Sequence, residues 1–219
     1  MINQEIIKKT EDFLKRKFDE GAYLNSHPKD KAYRLEHSYR VANIGRMIAE
    51  KEGFDETELT VACLLHDVAY CLEFGENGWK EHGRWSSDIA RPFLAELGFA
   101  KDRIEDMCYG IATHVDDVAD FSGESTPFSL SVGDADNLDR FDVLRIHETL
   151  CKDGFTDLNI DDKILYVKKR ILRLRELSEM PLGTKTAEMM WKERLSFYIS
   201  FYNKLENQFE SSRYILNLT

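Results

Sequence analysis

The chain has 219 residues, 42% of them hydrophobic, so it is long enough to bury a core and its composition is not that of a disordered protein. Its 40 acidic and 30 basic residues give a formal net charge of −10, which disfavours binding to duplex nucleic acid. Residues 1–20 lack the apolar run of a signal peptide or membrane span, which predicts a cytoplasmic protein with no membrane partner.

The first predicted helix is amphipathic and ends before Gly21. Its apolar residues recur with a period near 3.6, namely Ile6, Ile7, Phe13, Leu14 and Phe18. A loop containing His27 and Pro28 should follow. A second helix is predicted over residues 33–52, with Gly53 as its C-terminal stop. This helix places His37 on an apolar stripe, so His37 should point inward.

A third helix is predicted to begin at Asp55, because Glu58 three residues later resembles a capping box. Its apolar residues continue to Val68, so His66 and Asp67 should lie deep in this helix. After a glycine-containing loop, a fourth helix should run from about residue 82 to Gly98, and Pro92 should kink it or mark its true start.

The next predicted helix is capped by Asp102 and delivers His114 near its C-terminal end. Residues 115–127 are acidic and should form a loop. A helix beginning near Phe128 or Leu130 should then carry Asp134, Asp136, Asp139 and Leu144, although residues 129–132 could instead be extended. Two further amphipathic helices are predicted over residues 160–179 and 186–210.

These patterns predict an all-α bundle of about eight helices. We expect one domain over residues 1–219, with a core at about 33–145 and additional C-terminal helices at about 160–210 packed on it. An aromatic cluster in the last helix should fill the core or form a subunit contact, the latter in a homo-oligomer. It contains Trp191, Phe197, Tyr198, Phe201 and Tyr202.

The pair His66 and Asp67 directly follows an apolar run, in a helix whose other faces should be buried. A carboxylate moved into low dielectric without compensation costs several kcal/mol, whereas a bound cation restores favourable electrostatics. Asp67 is therefore predicted to bind a cation together with His66.

Over about residues 33–145, the order and spacing of His37, the His66-Asp67 doublet and Asp136 resemble the H…HD…D signature of the HD superfamily. The surrounding segments Glu36-His-Ser-Tyr-Arg-Val-Ala, Leu64-Leu-His-Asp-Val and Asp134-Ala-Asp-Asn-Leu-Asp are similar as well. The resemblance implies an HD-domain helical bundle in which the four residues bind a divalent metal. Imidazole and carboxylate together suit Mn, Fe, Co, Ni or Zn better than Mg.

HD proteins with two metals add histidines between the doublet and the last aspartate. The segments around His82 and His114 resemble the sources of these histidines. If so, Asp67 bridges two ions and His82 and His114 hold the second; ordinary capping or core histidines are the alternative. Asp134 is expected to orient a histidine rather than bind metal.

The resemblance implies a metal-dependent phosphohydrolase that cleaves a phosphate ester or anhydride of a small metabolite, by attack of metal-activated water. A nucleotide is the favoured substrate because HD relatives often act on nucleotides. Arg40, Lys80 and Arg84 are candidate phosphate-binding residues, with solvated surface charge as the alternative. Other functions left open are a di-iron oxygenase of the HD type and a non-catalytic metal- or ligand-binding regulator.

Overall fold

The chain is helical along most of its length. A computed structural model describes residues 2–75 and 78–216, and these residues form ten α-helices and no β-strand. The predicted all-α fold is confirmed. Two of these helices were not predicted. One is a short helix at Ala22–Ser26. The other, at Val143–Lys152, is separate from the helix at Pro127–Arg140, whereas the sequence predicted one continuous helix there.

The chain forms two compact units. One unit comprises Met1–Asp139 and Leu182–Ala187, and the other comprises Arg140–Pro181 and Glu188–Thr219. The prediction of a single domain stays a prediction. In chain order the helices are α1 Gln4–Glu20, α2 Ala22–Ser26, α3 Pro28–Glu52, α4 Glu56–Leu65, α5 Gly78–Glu96, α6 Lys101–Thr113, α7 Pro127–Arg140, α8 Val143–Lys152, α9 Ile160–Leu177 and α10 Lys185–Leu216.

Helix α3 is longer than predicted. It begins at Pro28 rather than at residue 33, because proline lacks an N–H group and suits the first helical position. Its C-terminal stop is confirmed, since Gly53 has φ 77° and its N–H donates to the Ala49 carbonyl at 2.9 Å. The predicted start of α4 is also confirmed, because the Asp55 side chain accepts from two backbone N–H groups.

Helix α4 forms the centre of the first unit. All its residues from Leu59 to Leu65 are buried, and it packs against α1, α3 and α6. Burying each of its leucine side chains contributes about 2 kcal/mol to the hydrophobic stabilisation. The prediction that this helix continues to Val68 is wrong, because α4 ends at Leu65 and residues Val68–Cys71 form a tighter 3₁₀ turn.

Two further predictions about the first unit are corrected, and one alternative is excluded. Pro92 does not mark the start of its helix, because it lies inside α5, which begins at Gly78; the predicted kink at Pro92 stays a prediction. Asp102 lies in the first turn of α6 instead of capping it, since Ala100 is the cap residue. Residues 129–132 are helical rather than extended.

In the second unit, Asp142 explains the break before α8. Its side chain accepts from the Val143 N–H at 2.7 Å, which starts a new helix. The predicted aromatic cluster is largely core: Trp191, Tyr198 and Tyr202 are buried, whereas Phe197 is half exposed. Among the described residues, no helix is both long and apolar enough to cross a bilayer.

Candidate metal centre

The end of α4 presents His66 and Asp67 to the interior of the first unit. His66 is the last residue with helical dihedral angles, and Asp67 turns the chain with φ −107° and ψ 14°. Both residues are buried. The Ala69 N–H donates to the Ser86 hydroxyl of α5 at 3.0 Å. In a continuing α-helix this N–H would donate to the Leu65 carbonyl four residues earlier.

One cluster of donor atoms lies on the Oδ2 side of Asp67. His37 Nε2 lies 3.2 Å from His66 Nε2 and 3.2 Å from Asp136 Oδ1. Asp67 Oδ2 lies 3.6 Å from the Nε2 atom of each of these two histidines. Helices α3, α4 and α7 therefore bring the four residues of the predicted signature together.

A second cluster lies on the Oδ1 side of the same carboxylate. Asp67 Oδ1 lies 3.1 Å from His82 Nε2 and 3.7 Å from His114 Nε2, and these two nitrogens are 3.2 Å apart. Asp67 thus directs one oxygen towards each pair of histidines. All six residues predicted to bind metal lie within these two clusters.

Close helix packing at Gly83 holds the second pair of histidines together. A Cβ atom at this position would lie 2.6 Å from the Ala112 carbonyl oxygen and 3.0 Å from that of Ile111. Any larger residue would force α5 away from α6, because backbone atoms cannot move aside as a flexible side chain can. The absence of a side chain at Gly83 therefore permits His82 of α5 to approach His114.

Three of the four histidines have a fixed tautomer. In each, Nδ1 lies 2.7 Å from a backbone carbonyl three residues earlier, which can only accept a hydrogen bond, so Nδ1 carries a proton and the neutral form of the ring has its lone pair on Nε2. The pairs are His66 with Cys63, His82 with Trp79, and His114 with Ile111.

These donors fit divalent metal ions. Atoms bound about 2.1 Å from one ion lie about 3.0 Å apart at an octahedral angle and about 3.4 Å apart at a tetrahedral angle. The separations of 3.1 to 3.7 Å around Asp67 are close to these values. The Nε2 atoms of His82 and His114 lie 3.2 Å apart, a separation at which both can be ligands of one cation.

Asp139 orients His37, a role that the sequence did not reveal. Its Oδ2 lies 2.8 Å from His37 Nδ1, and its Oδ1 accepts from Arg40 Nε at 2.7 Å. Carboxylates in this position fix the ring and raise its basicity. Asp139 lies three residues after Asp136 and so shares its helix face, which is the signal that could have identified it. Asp134 accepts from the Gly183 N–H at 2.8 Å, and its expected role in orienting a histidine stays a prediction.

Burial and charge act differently on the two histidines of the first cluster. Burial lowers the pKa of His66 to about 4, so this imidazole is neutral at ordinary pH. Burial also lowers the pKa of His37, but hydrogen bonds to Asp136 and Asp139 outweigh it and raise the pKa to about 9. A cation bound at His37 must therefore displace a proton.

The two carboxylates remain ionised although both are buried. Burial raises the pKa of Asp67, but His66 and the other nearby histidines outweigh burial and hold this pKa well below its usual range. Burial likewise opposes ionisation of Asp139, and the partners His37 and Arg40 lower its pKa to about 2. Asp67 therefore presents an ionised carboxylate to a cation, and Asp139 presents one to His37.

Arg34 is a second residue that the sequence did not single out. Its Nη1 donates to Asp67 Oδ2 at 3.0 Å, and its guanidinium lies 3.4 Å from the centre of the Tyr70 ring. It precedes His37 by three residues on α3, so its position one turn away is the signal that could have identified it.

The predicted phosphate-binding cations have different surroundings. Arg40 pairs with Asp139, and Arg84 donates to both oxygens of Asp116 at 3.0 and 3.1 Å. Lys80 is exposed, with its Nζ 5.2 Å from the centre of the Trp79 ring. Their role in binding phosphate stays a prediction, and Arg34 is the arginine that contacts Asp67 directly.

The fold and these clusters define an all-α protein with buried histidines and aspartates that could hold metal ions. The HD domain family model matches residues 34–144, which are 111 of the 219 residues. The chain therefore belongs to the HD domain family.

One solved structure shares the fold: a predicted HD superfamily hydrolase from an uncultured Thermotogales bacterium. It is 19% identical, the similarity covers 92% of each chain, and the TM-score is 0.63. The comparison with curated proteins found no match.

Proposed function

We propose that this chain is a metal-dependent phosphohydrolase that cleaves a phosphate ester or anhydride of a small metabolite. The observation that carries the proposal is the Asp67 carboxylate, which directs one oxygen towards each of two histidine pairs. This arrangement suits two divalent ions that share one bridging carboxylate. Mixed imidazole and carboxylate donors favour Mn, Fe, Co, Ni or Zn.

The residues have distinct tasks in this proposal. His37, His66 and Asp136 would hold one ion, His82 and His114 would hold the other, and Asp67 would contribute an oxygen to each. When bound, such ions lower the pKa of a water molecule and neutralise charge on phosphoryl oxygens.

Arg34 supplies a fixed positive charge beside the ion sites. Its Nη1 contacts Asp67 Oδ2, which leaves other N–H groups of the guanidinium for a phosphoryl oxygen. Asp139 holds the ring of His37 in place. The net charge of −10 supports a small phosphorylated substrate over duplex nucleic acid. A nucleotide remains the favoured substrate on the resemblance stated above, and a cytoplasmic location and a homo-oligomer stay predictions.

An oxygenase with two iron ions is the second candidate, because the same four histidines and shared carboxylate would also hold iron. Oxygen consumption that depends on reduced iron would identify it. A non-catalytic regulator would bind metal and show neither reaction.

Metal analysis combined with a phosphate-release screen tests the proposal. The screen uses nucleotides, dinucleoside polyphosphates and sugar phosphates. His66→Ala and Asp67→Asn should each lose metal and turnover, because each removes a donor from a buried site, whereas His82→Ala should lose one of two ions.

His147→Ala is the matched control, because His147 is exposed and lies outside both clusters. Turnover by His66→Ala without bound metal would reject the mechanism. Two ions retained by His82→Ala would reject only the binuclear form. Circular dichroism establishes that each variant is folded.

A further inference from the structure

A cavity of about 580 Å³ lies in the first unit beside the candidate metal centre. Its volume falls within the range of sites that bind small molecules, about 300 to 1,000 Å³. Four aromatic rings contribute to its wall, together with Arg34 and two acidic residues. The rings are those of Tyr23, Tyr33, Tyr70 and Phe74.

The cavity and the metal centre share part of their walls. Arg34 lines the cavity and also contacts Asp67 Oδ2 at 3.0 Å. The ring of Tyr70 lies 5.1 Å from that of His82, and the ring of Phe74 lies 6.1 Å from it. A molecule with its phosphate at the ions and its organic group in the cavity would therefore contact both sets of residues.

The aromatic lining favours a planar ring. Tyr70 is held in place from two sides, because the Arg34 guanidinium lies over its ring and the Phe74 ring lies 4.9 Å away. A ring held in this way loses little conformational entropy when another aromatic group packs against it. Burial raises the pKa of Tyr70 to about 12, so its hydroxyl stays neutral.

The carboxylates of the cavity lining disfavour an anionic ring. Asp30 and Glu73 both contribute to the lining, and Asp30 accepts a hydrogen bond from the Tyr23 hydroxyl at 2.8 Å. Carboxylates repel a negatively charged group and accept hydrogen bonds from N–H or O–H donors. Arg34 is the basic residue in the lining, and it lies on the side that contacts Asp67.

We propose that this cavity binds the leaving group of the substrate, and that this group is a planar aromatic ring without negative charge. The proposal rests on the phosphohydrolase function proposed above and adds the chemical class of the group attached to phosphorus. A nucleobase and a simple aryl group share this chemistry. Tyr70 is then a residue that determines specificity, through contact of its ring with the ring of the substrate.

The kinetic test compares a pair of substrates that share the ester to be cleaved and differ in the aromatic ring. Adenosine monophosphate should be hydrolysed with a higher kcat/KM than ribose phosphate, which has no aromatic ring. Phenyl phosphate carries a different leaving group, so the size of the loss in the Tyr70→Leu variant described below, and not the rate alone, identifies whether a nucleobase or an aryl group binds. Ribose phosphate as the best substrate would overturn the proposal.

Substitutions at Tyr70 separate the ring from its hydroxyl. Tyr70→Leu should lower kcat/KM for the aromatic substrates about tenfold more than for ribose phosphate, because a tenfold loss is expected when one aromatic contact is removed. Tyr70→Phe keeps the ring and is the matched control that should retain the preference. An equal loss for all substrates in Tyr70→Leu would contradict a specificity role.

The charge of the cavity is tested at Asp30. A carboxylate on the aryl ring, as in para-carboxyphenyl phosphate, should reduce kcat/KM relative to para-nitrophenyl phosphate. Asp30→Asn should narrow this difference, because it removes one of the two carboxylates. An unchanged difference in that variant would show that Asp30 does not exclude anions.

A binding measurement separates this proposal from the phosphohydrolase proposal. Ligand-observed NMR with adenosine and with phenol, neither of which carries a phosphate or a negative charge at neutral pH, should detect binding to the metal-free protein and weaker binding to Tyr70→Leu. Binding without any phosphatase activity would retain the cavity assignment and reject the proposed function. Phosphatase activity without binding of either ring, and without a preference for aromatic substrates, would retain the proposed function and reject the cavity assignment.

Discussion

Two opposing effects act on the imidazole of His37. Burial lowers its pKa, whereas the hydrogen-bonded carboxylates of Asp136 and Asp139 raise it, and the result is a pKa of about 9. Only the neutral ring can donate its Nε2 lone pair to a cation. The apparent metal affinity should therefore rise with pH until His37 loses its proton near pH 9, and should level off above that pH.

Asp139→Asn should reduce the number of protons released when metal binds. The variant removes the negative charge beside Nδ1, so the pKa of His37 should fall towards its ordinary value of 6.5. At a pH between these two values, fewer molecules then carry a proton for the metal to displace. Calorimetric titration with Zn²⁺ in buffers of different ionisation enthalpy measures this number directly. The loss of this supporting carboxylate should also weaken binding about 10- to 100-fold.

Asp106→Asn is the matched control for this change. Asp106 also pairs with an arginine, Arg103, at 3.0 Å, but it lies outside both clusters of metal donors. Its variant should release as many protons as the unaltered protein. The same proton release in the Asp139 variant would show that Asp136 and Asp67 alone set the pKa of His37.

The sequence predicted the residues of the clusters better than their supporting partners. His37, His66, Asp67 and Asp136 follow from a motif, and all four lie together. Asp139 and Arg34 were missed because their partners lie 102 and 33 residues away in the chain. Helical periodicity predicts which side of its own helix such a side chain occupies. It does not identify the residue of another helix that the side chain contacts.

At the scale of secondary structure, the end of α4 shows a limit of pattern reading. The apolar run continues past Asp67 through Val68 and Ala69, and it contains no proline or glycine stop. The helix ends because the Ala69 N–H bonds to Ser86 of another helix. A tertiary contact therefore overrides local propensity at the two residues that carry the predicted chemistry.

Gly83→Ala should destabilise the first unit by about 1 to 3 kcal/mol, the usual cost of overpacking. The new methyl group would lie 2.6 Å from the Ala112 carbonyl oxygen, so α5 and α6 must move apart. His82 and His114 would separate with them, and the second ion should be lost before the first. Urea unfolding measures the stability, and elemental analysis measures the metal content.

Gly75→Ala provides the comparison, because a Cβ atom at Gly75 would meet no atom within 4 Å. Its stability and metal content should match those of the unaltered chain. If Gly83→Ala kept both ions at full stability, the close approach of the two helices would not be needed to form the second cluster.

For the whole molecule, the two units should respond unequally to metal. All six candidate donors belong to the unit that contains Met1–Asp139, so an ion bound to them should stabilise that unit. Metal at a free concentration of about 100 times its Kd should add about 2.7 kcal/mol per site to the free energy of unfolding. Hydrogen exchange should slow at the end of α4 and around Asp136, and should remain unchanged in α9.

Chelation by EDTA should reverse both effects, whereas the His66→Ala variant should show neither. If the ion slowed hydrogen exchange equally in both units, it would stabilise the chain through contacts other than these six donors. An unchanged midpoint of unfolding on chelation would show that the clusters are already stable without a cation.

The burial of α4 on every side has a consequence for engineering. Its residues from Leu59 to Leu65 have no solvent face, so few substitutions there would be tolerated. The cavity, in contrast, is built by α2, by the first turns of α3 and by residues 70–74. Directed libraries that vary these three segments should therefore change which molecules the cavity binds, while α4 continues to hold His66 and Asp67 in place.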